Sequence, residues 1–529
     1  MYTFEDMKKL AAQGKVSRRE FIQFAISVGI GAIAAQTVFI ESARAEPKRG
    51  GHLRMGLAYG STADSLDPSV QSPSTEVNFW GNLANSLTQM DANGKIVPDL
   101  ASEMDSSNKA TTWVFKLRKG LTFHNGRTVT SNDVVASFQH HLKPDSTSPM
   151  KSVLAIVDEI KTDGPDTVIF KLKQGNVDFP YLVGDYHLSI LPANPNGTVD
   201  WASGIRTGAY KLEGFEPGVS CRFQRFENYH RSSQPYFDSC ETRAITDVAA
   251  RTNALITGEV DWIGRCDIKT LSLLKRNSDI EINNVTGYGH YTLPMLVDVE
   301  PFNDVNVRMA LKHAIDRQEI MDKITGGYAT PGNDNPIAPS IQYGINPGPV
   351  HQYDPEKAKS YLRQAGLSSL KVDLHVSDTA FDGAVDAAAL IRETAAKAGI
   401  DINIVTVPAD GYWESVWNKQ GWCASWWSGR PTCDWMFSTA YSADSTWNET
   451  HWKNERFNEL LAKARGETDE VARAAMYAEM QQLVHDDGGQ IVLGFYSDIS
   501  ANSKKLAHGK IANNFEVDGY RLAERWWFA

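Results

Sequence analysis

Eight of the chain's fourteen tryptophans fall between residues 411 and 452: Trp413, Trp417, Trp422, Trp426, Trp427, Trp435, Trp447 and Trp452. A side chain this large is rarely left in solvent, and its N–H needs a partner when it is buried. Ser428, Gly429 and Pro431 punctuate the stretch, so it is not one uninterrupted helix face. Two readings follow. Aromatic side chains tend to be buried, which makes the stretch a tryptophan-rich core corner of a large domain. Ligand clefts are also lined by aromatic rings, which makes it one wall of a cleft for a polar solute. In that second reading Arg430 and Asp434 are the charged fixing points, and Trp413, Trp426 and Trp427 line the wall.

At 529 residues the chain exceeds what one hydrophobic core usually serves, so two or three lobes are expected. The formal net charge of −11 argues against nucleic acid or anionic lipid as the main partner. The first 45 residues run against that balance and read as an address. Ser17-Arg18-Arg19-Glu20-Phe21-Ile22 precedes an apolar run from Phe24 to Ile40, and Ala43-Arg44-Ala45 follows. A charged region, an apolar region and a small-x-small site in that order describe an export signal. The paired arginines and the Gly/Ala-diluted apolar run are similar to a twin-arginine signal, which engages the twin-arginine export machinery. A single membrane anchor is the alternative, because the run approaches spanning length. The expected product starts near Glu46 and is soluble in the periplasm. Five cysteines suit that oxidising compartment. Cys423–Cys433 and Cys221–Cys240 are the expected pairs, with Cys266 left over. Free buried thiols are the alternative.

Periodicity gives the elements. Leu53 to Leu57 reads as a strand, and a helix is expected around Val77–Leu87. Trp113, Phe115 and Leu117 alternate onto one face of a strand, as do Val168, Phe170 and Leu172, with a helix from Asn132 to His141 between them. This part reads as an antiparallel α+β lobe. His140 and His141 are neighbours on that helix and point apart, which disfavours a shared metal. Further on, Arg222–Phe226 and Val260–Ile263 read as strands around a helix Ala249–Thr257 that Gly258 stops. Asp304 caps a helix with Val307, Leu311, Ala314 and Ile315 on one stripe. Asp354-Pro355 opens another, with Gly366 beyond its end. Strand Lys371–Val376, helix Ala384–Ala398 and strand Ile400–Val407 imply a parallel pair with a crossover helix. Helices near Arg456–Ala464 and Asp469–Val484 precede a tail rich in strand formers.

Several blocks carry a resemblance. They are Pro47-Lys48-Arg49-Gly50-Gly51-His52-Leu53-Arg54, Ile96-Val97-Pro98-Asp99-Leu100-Ala101, Trp113 through Gly126, Thr207-Gly208-Ala209-Tyr210 and Gly258-Glu259-Val260-Asp261. Pro301-Phe302-Asn303-Asp304-Val305 follows with Arg308, Ala310-Leu311 and Ala314-Ile315-Asp316-Arg317, then Tyr353-Asp354-Pro355-Glu356-Lys357-Ala358. In this order they resemble the family-5 solute-binding proteins of ABC importers, the dipeptide/oligopeptide/nickel group, over nearly all of the mature chain. The resemblance implies an α/β fold of periplasmic-binding-protein type, with two hinged α/β lobes and an additional α+β lobe. Lobe I would comprise 46–78, 205–292 and 500–529, lobe II 79–204, and lobe III 293–499. A small solute would be engulfed between lobes I and III, and the closed monomer would hand it, unaltered, to the membrane permease.

The same resemblance implies site residues. It sets Gln71, Ser72 and the segment at His290-Tyr291 at the cleft. Ser428-Gly429-Arg430-Pro431-Thr432-Cys433-Asp434 resembles the segment in which peptide-binding members carry an aspartate for the peptide's ammonium. Here Arg430 stands near that position, and an arginine stays charged and accepts no hydrogen bond. It would repel an ammonium and clamp a carboxylate or phosphate. Peptide-like or carboxylated conjugates such as opines are therefore expected, or oligosaccharides stacked on indole faces. No cofactor and no catalytic residue is expected. Two alternatives belong to other classes. One is an exported enzyme, against which stands the lack of His-Glu-x-x-His, Gly-x-Ser-x-Gly or Cys-x-x-Cys. The other is a nickel or haem receptor of the same family, although no pair among the thirteen histidines has ligand spacing.

Overall fold

The computed structural model describes residues 3, 4, 6, 7, 10, 16, 18–28, 47–70, 76–408 and 412–529. The expected cleavage site and the loop residues Gln71 and Ser72 lie outside these. Arg18–Ser27 is a helix, and no helix among the described residues is long and apolar enough to cross a membrane.

A nine-stranded sheet runs through the molecule. Its order is Ser425–Trp427, Ile280–Pro294, Gln490–Ser503, Trp262–Ile263, His52–Leu57, Ser239–Ala244, Ser220–Arg225 and Tyr210–Glu216, with Ala329–Pro331 pairing Gln490–Ser503 off that path. His52–Leu57 pairs parallel with its two neighbours, and the other ladders are antiparallel. One core, gathered from both ends of the chain, packs on this sheet: Leu53, Met55, Trp80, Tyr210, Phe223, Trp262, Leu506 and Trp526.

A second core lies on a separate four-stranded antiparallel sheet, Ala101–Ser107, Thr112–Leu117, Thr167–Leu172 and Val157–Thr162. The expected alternation is present: Trp113, Phe115, Leu117, Val168, Phe170 and Leu172 are buried on one face, and helix Ser131–Leu142 adds Val134 and Phe138 to them. Each such ring or branched chain contributes about 1.5–3 kcal/mol by leaving water.

The third region holds two adjoining cores. One surrounds the parallel pair Leu370–Val376 and Ile400–Thr406 with the crossover helix Ala384–Ala396. The other is helical, built on Cys433–Ala440, Glu455–Gly466 and Glu470–Asp487. The expected caps form, with Asp304 accepting from the Asn306 N–H and Asp354 from the Lys357 N–H. The helix expected around Val77–Leu87 is instead a shorter, wider coil, Glu76–Leu83.

The cysteine pairings are corrected. All five thiols are free and buried. Cys423 belongs to the parallel-pair core and Cys433 to the helical one, so their ten-residue separation does not make them neighbours. Cys221 faces Thr242 in its ladder and Cys240 faces Phe223, which leaves the two thiols diagonal rather than opposed.

Most of the blocks that carried the resemblance turn out to tie distant segments together. Arg54 donates through Nη2 and Nε to Asp261 at 2.8 and 3.0 Å. The Tyr210 hydroxyl donates to the Ala523 carbonyl at 2.8 Å. Arg317 donates to Asp334 at 2.7 Å. Asp99, fully buried, is held by Arg231 at 2.5 Å and Arg521 at 3.1 Å, and the same two arginines hold Glu524 at 2.6 and 2.8 Å.

Candidate functional site

Two long strands, Ile280–Pro294 and Gln490–Ser503, pass from the core at the chain ends to the third region. Their register slips between Thr286 and His290 and again between Tyr291 and Thr292, so the ladder is interrupted where it crosses. Two glycines permit a close approach there. A Cβ at Gly289 would stand 2.1 Å from the Tyr496 ring. Gly429 has φ of +80°, and its Cβ would stand 2.5 Å from the Tyr288 carbonyl carbon.

At this crossing the side chains form an aromatic shelf. Tyr291 is stacked between Phe381, 4.5 Å away at 24°, and Tyr496, 5.1 Å away at 28°. Trp426 stands opposite Tyr291 in the ladder, on the same face, and is 42 % exposed. The Tyr496 hydroxyl donates to the Trp427 carbonyl at 3.4 Å.

Arg430 projects beside this shelf. Its guanidinium lies 5.6 Å from the Trp427 ring centre and donates to the Ser428 hydroxyl at 3.0 Å and the Gly429 carbonyl at 2.6 Å. Neither is a carboxylate. Burial lowers its pKa, and Tyr186, Tyr496 and Asp185 are the nearby groups that oppose the shift. A guanidinium so placed can take a planar anion bidentately.

Across the crossing stand Tyr59, Arg265, Glu516 and Asp498. Arg265 pairs with Glu516 through two contacts, at 3.1 and 3.2 Å, and covers the Tyr59 ring at 4.5 Å. The Tyr59 hydroxyl donates to Glu516 as well. The half-buried Asp498 side chain has no hydrogen-bond or ion-pair partner among the described residues. Burial, with Glu516 close by, pushes its carboxyl up to about 7.

The tryptophan stretch divides. Trp422, Trp427 and Trp452 are core, at 0, 5 and 2 % exposure, while Trp426 and Trp447 face outward. Trp413 and Trp417 are half-buried and pack edge to face, and Trp435 is half-buried. Much of the order comes from one residue that the spacing did not reveal, Glu449. Its buried carboxylate accepts from the Trp417 N–H at 2.5 Å, the Trp427 N–H at 2.8 Å, the Ser425 hydroxyl at 3.0 Å and the Gln490 amide at 2.9 Å. Burial raises its pKa, and those four donors oppose the rise.

Asp434 does not share a surface with Arg430. It pairs with Arg465 at 3.2 and 3.3 Å inside the helical region, and burial raises its carboxyl to about 6. A group absent from the histidine spacing also emerges: ligand atoms of His351, His485 and Asp486 lie within 4.8 Å of one another. The His351 Nδ1 is already bonded to Asp334 and the His485 Nδ1 to Asp486, each at 2.7 Å. The two rings are stacked 3.7 Å apart at 14°. In-plane lone pairs of parallel rings do not converge, so this geometry does not fit a metal centre.

This crossing of two strands between regions, with charged groups left on both sides of it, has relatives. Residues 95–449 match the profile described as bacterial extracellular solute-binding proteins, family 5, middle. The chain is 25 % identical over 470 residues to the glutathione-binding protein GsiB of Pectobacterium atrosepticum, covering 85 % of this chain and 90 % of that one. In fold it is similar to HbpA2 from Haemophilus parasuis, with a TM-score of 0.79 at 20 % identity over 89 % of this chain and 99 % of that one. It is also similar to the PBP AgaA of A. tumefaciens R10 in complex with agropinic acid, with a TM-score of 0.70 at 24 % identity over 90 % and 99 %. The chain belongs to the family-5 bacterial extracellular solute-binding proteins.

Proposed function

We propose that this protein captures a small carboxylated solute in the periplasm and delivers it, chemically unchanged, to the permease of an ABC importer. Capture would occur between lobe I (46–78, 205–292 and 500–529) and lobe III (293–499), with lobe II (79–204) buttressing lobe I. Export would use the twin-arginine route, and the working form would be a monomer.

One observation carries the choice of solute: Arg430. Arg430 is half-buried, and a guanidinium partly removed from water without a carboxylate in contact gains from an arriving anion. Here the surroundings are an indole face, two tyrosines, the Ser428 hydroxyl and its own backbone, with Asp185 nearby but not in contact. A carboxylate arriving on Arg430 would form a short charge-assisted pair, and the shelf of Tyr291, Tyr496, Phe381 and Trp426 would take the rest of the solute by stacking. Glutathione and agropinic acid, the compounds named for two of the similar proteins, both carry carboxylates.

Calorimetric titration of the purified protein with glutathione, opines, dipeptides and neutral oligosaccharides tests the reading. Binding confined to carboxylated compounds, weakened by about 2 kcal/mol or more in Arg430→Ala, is expected. Unchanged affinity in that variant, or tight binding of neutral sugars alone, overturns it.

A further inference from the structure

The face of Gln490–Ser503 that carries Tyr496 also carries Asp498, because side chains two apart on a strand share a face. Tyr496 leads one way, through its hydroxyl on the Trp427 carbonyl, to Arg430. Along the strand it leads the other way, to Asp498. The charged groups around Asp498 come from three segments: Tyr59, Arg265 with Cys266, and Glu516. Glu516 is engaged twice by Arg265 and again by Tyr59, so Arg265 is held by a carboxylate that is not Asp498. The local sum of Arg265, Glu516 and an ionised Asp498 is one negative charge, with no donor on the Asp498 oxygens.

Resting on the carboxylate-capture reading above, we propose that Asp498 is the cation-receiving end of the same site. It takes a protonated amine of the solute whose carboxylate lies on Arg430. The solute class is then an amino-carboxylate whose two charges are set on either side of Tyr496, a conjugate or short peptide-like molecule rather than a single α-amino acid. The middle of the molecule lies along the Tyr291–Tyr496 stack.

Binding is also proton-linked. In the empty protein the Asp498 carboxyl is held up to about 7, so near pH 6.5 much of it is protonated. An arriving ammonium favours the carboxylate, and the displaced proton leaves to solvent. The proton balance is one O–H bond broken, one water protonated, and no other bond changed.

The test uses the mature chain with four probes: glutathione, N-acetylglutathione, glutathione diethyl ester and agropinic acid. Calorimetry at pH 6.5 in buffers of different ionisation enthalpy gives affinity and protons released together. The expected result is that an amine-bearing carboxylated probe binds best, releasing roughly half a proton or more. Asp498→Asn should weaken that probe at least tenfold and abolish the release, and Asp498→Glu should restore part of both. Tighter binding of N-acetylglutathione than of glutathione, release unchanged in Asp498→Asn, or no response to any amine-bearing probe overturns the assignment. N-acetylglutathione bound through Arg430, with Asp498 indifferent, overturns this inference and leaves carboxylate capture standing. Loss of Arg430 dependence overturns carboxylate capture itself.

Discussion

Two electrostatic regions of this protein are built on opposite plans. Around Asp99, two carboxylates and the Arg521 guanidinium lie at most 2 % exposed, Arg231 is 19 % exposed, and the four charges cancel: Arg231 and Arg521 each touch both Asp99 and Glu524. Tyr229 donates to Glu524 at 2.9 Å, Asn85 donates to Asp99, and the Arg521 guanidinium covers the Trp80 ring at 4.6 Å. At the strand crossing, Arg430 and Asp498 are half-buried, and neither has an opposite charge in contact. A closed network joins segments distant in sequence and leaves nothing to recognise. An open pair leaves two charges for a visitor to complete. The framework charges are matched and mostly buried, whereas the recognition charges are half-buried and unmatched.

Breaking the closed network should have the largest effect. Arg521→Met leaves Asp99 and Glu524 with one guanidinium between them, and a loss of about 3–5 kcal/mol is expected in chemical denaturation. A loss below about 1 kcal/mol would erase the distinction drawn here. Acid should act on the same network. The neighbouring arginines depress the Glu524 carboxyl to about 2 and hold Asp99 below the usual carboxylate range. Their contribution is therefore full above the unfolded value near 4 and is lost as pH falls toward 2. A loss on the order of 3 kcal/mol across that window is expected from Glu524, and Glu524→Gln should flatten it.

Glu449 tests the tryptophan stretch. Glu449→Gln sets an amide donor against indole N–H donors, and about 1–3 kcal/mol should be lost with a change in tryptophan emission. The open pair should behave differently. Arg430→Ala should leave the empty protein within about 0.5 kcal/mol of its parent, because no carboxylate is orphaned. Asp498→Asn should stabilise the empty protein on the order of 1 kcal/mol above pH 7. A carboxyl raised by burial carries no penalty below its unfolded value and a growing one as pH rises toward 7, which the amide avoids. A destabilised Asp498→Asn would mean that the aspartate belongs to the framework.

The elements were largely legible because their signals are local. Alternation at Trp113, Phe115 and Leu117, the caps Asp304 and Asp354, and the strand-helix-strand order after Lys371 each depend on neighbours within a few residues. The candidate site was legible only in part. Arg430 stood out because an arginine stood near the position where an acid was expected, and Tyr291 lay in a block set at the cleft. Glu449, Arg265, Tyr496 and Asp498 gave no local sign, since each takes its role from a partner tens to hundreds of positions away. Asp434 looked like a companion to Arg430 from four residues off, yet the short helix between Cys433 and Ala440 turns it toward Arg465.

By itself the sequence determined the secondary elements, the family and an unusual charge in the tryptophan stretch. It did so because periodicity, caps and block order are properties of adjacent residues. Only the tertiary structure decided which tryptophans are core and which face outward, that the cysteines stay apart, and that Tyr496 stands between Arg430 and Asp498. The last of these depends on the register of Ile280–Pro294 against Gln490–Ser503, strands some two hundred residues apart, where a slip of one residue would send every side chain to the other face.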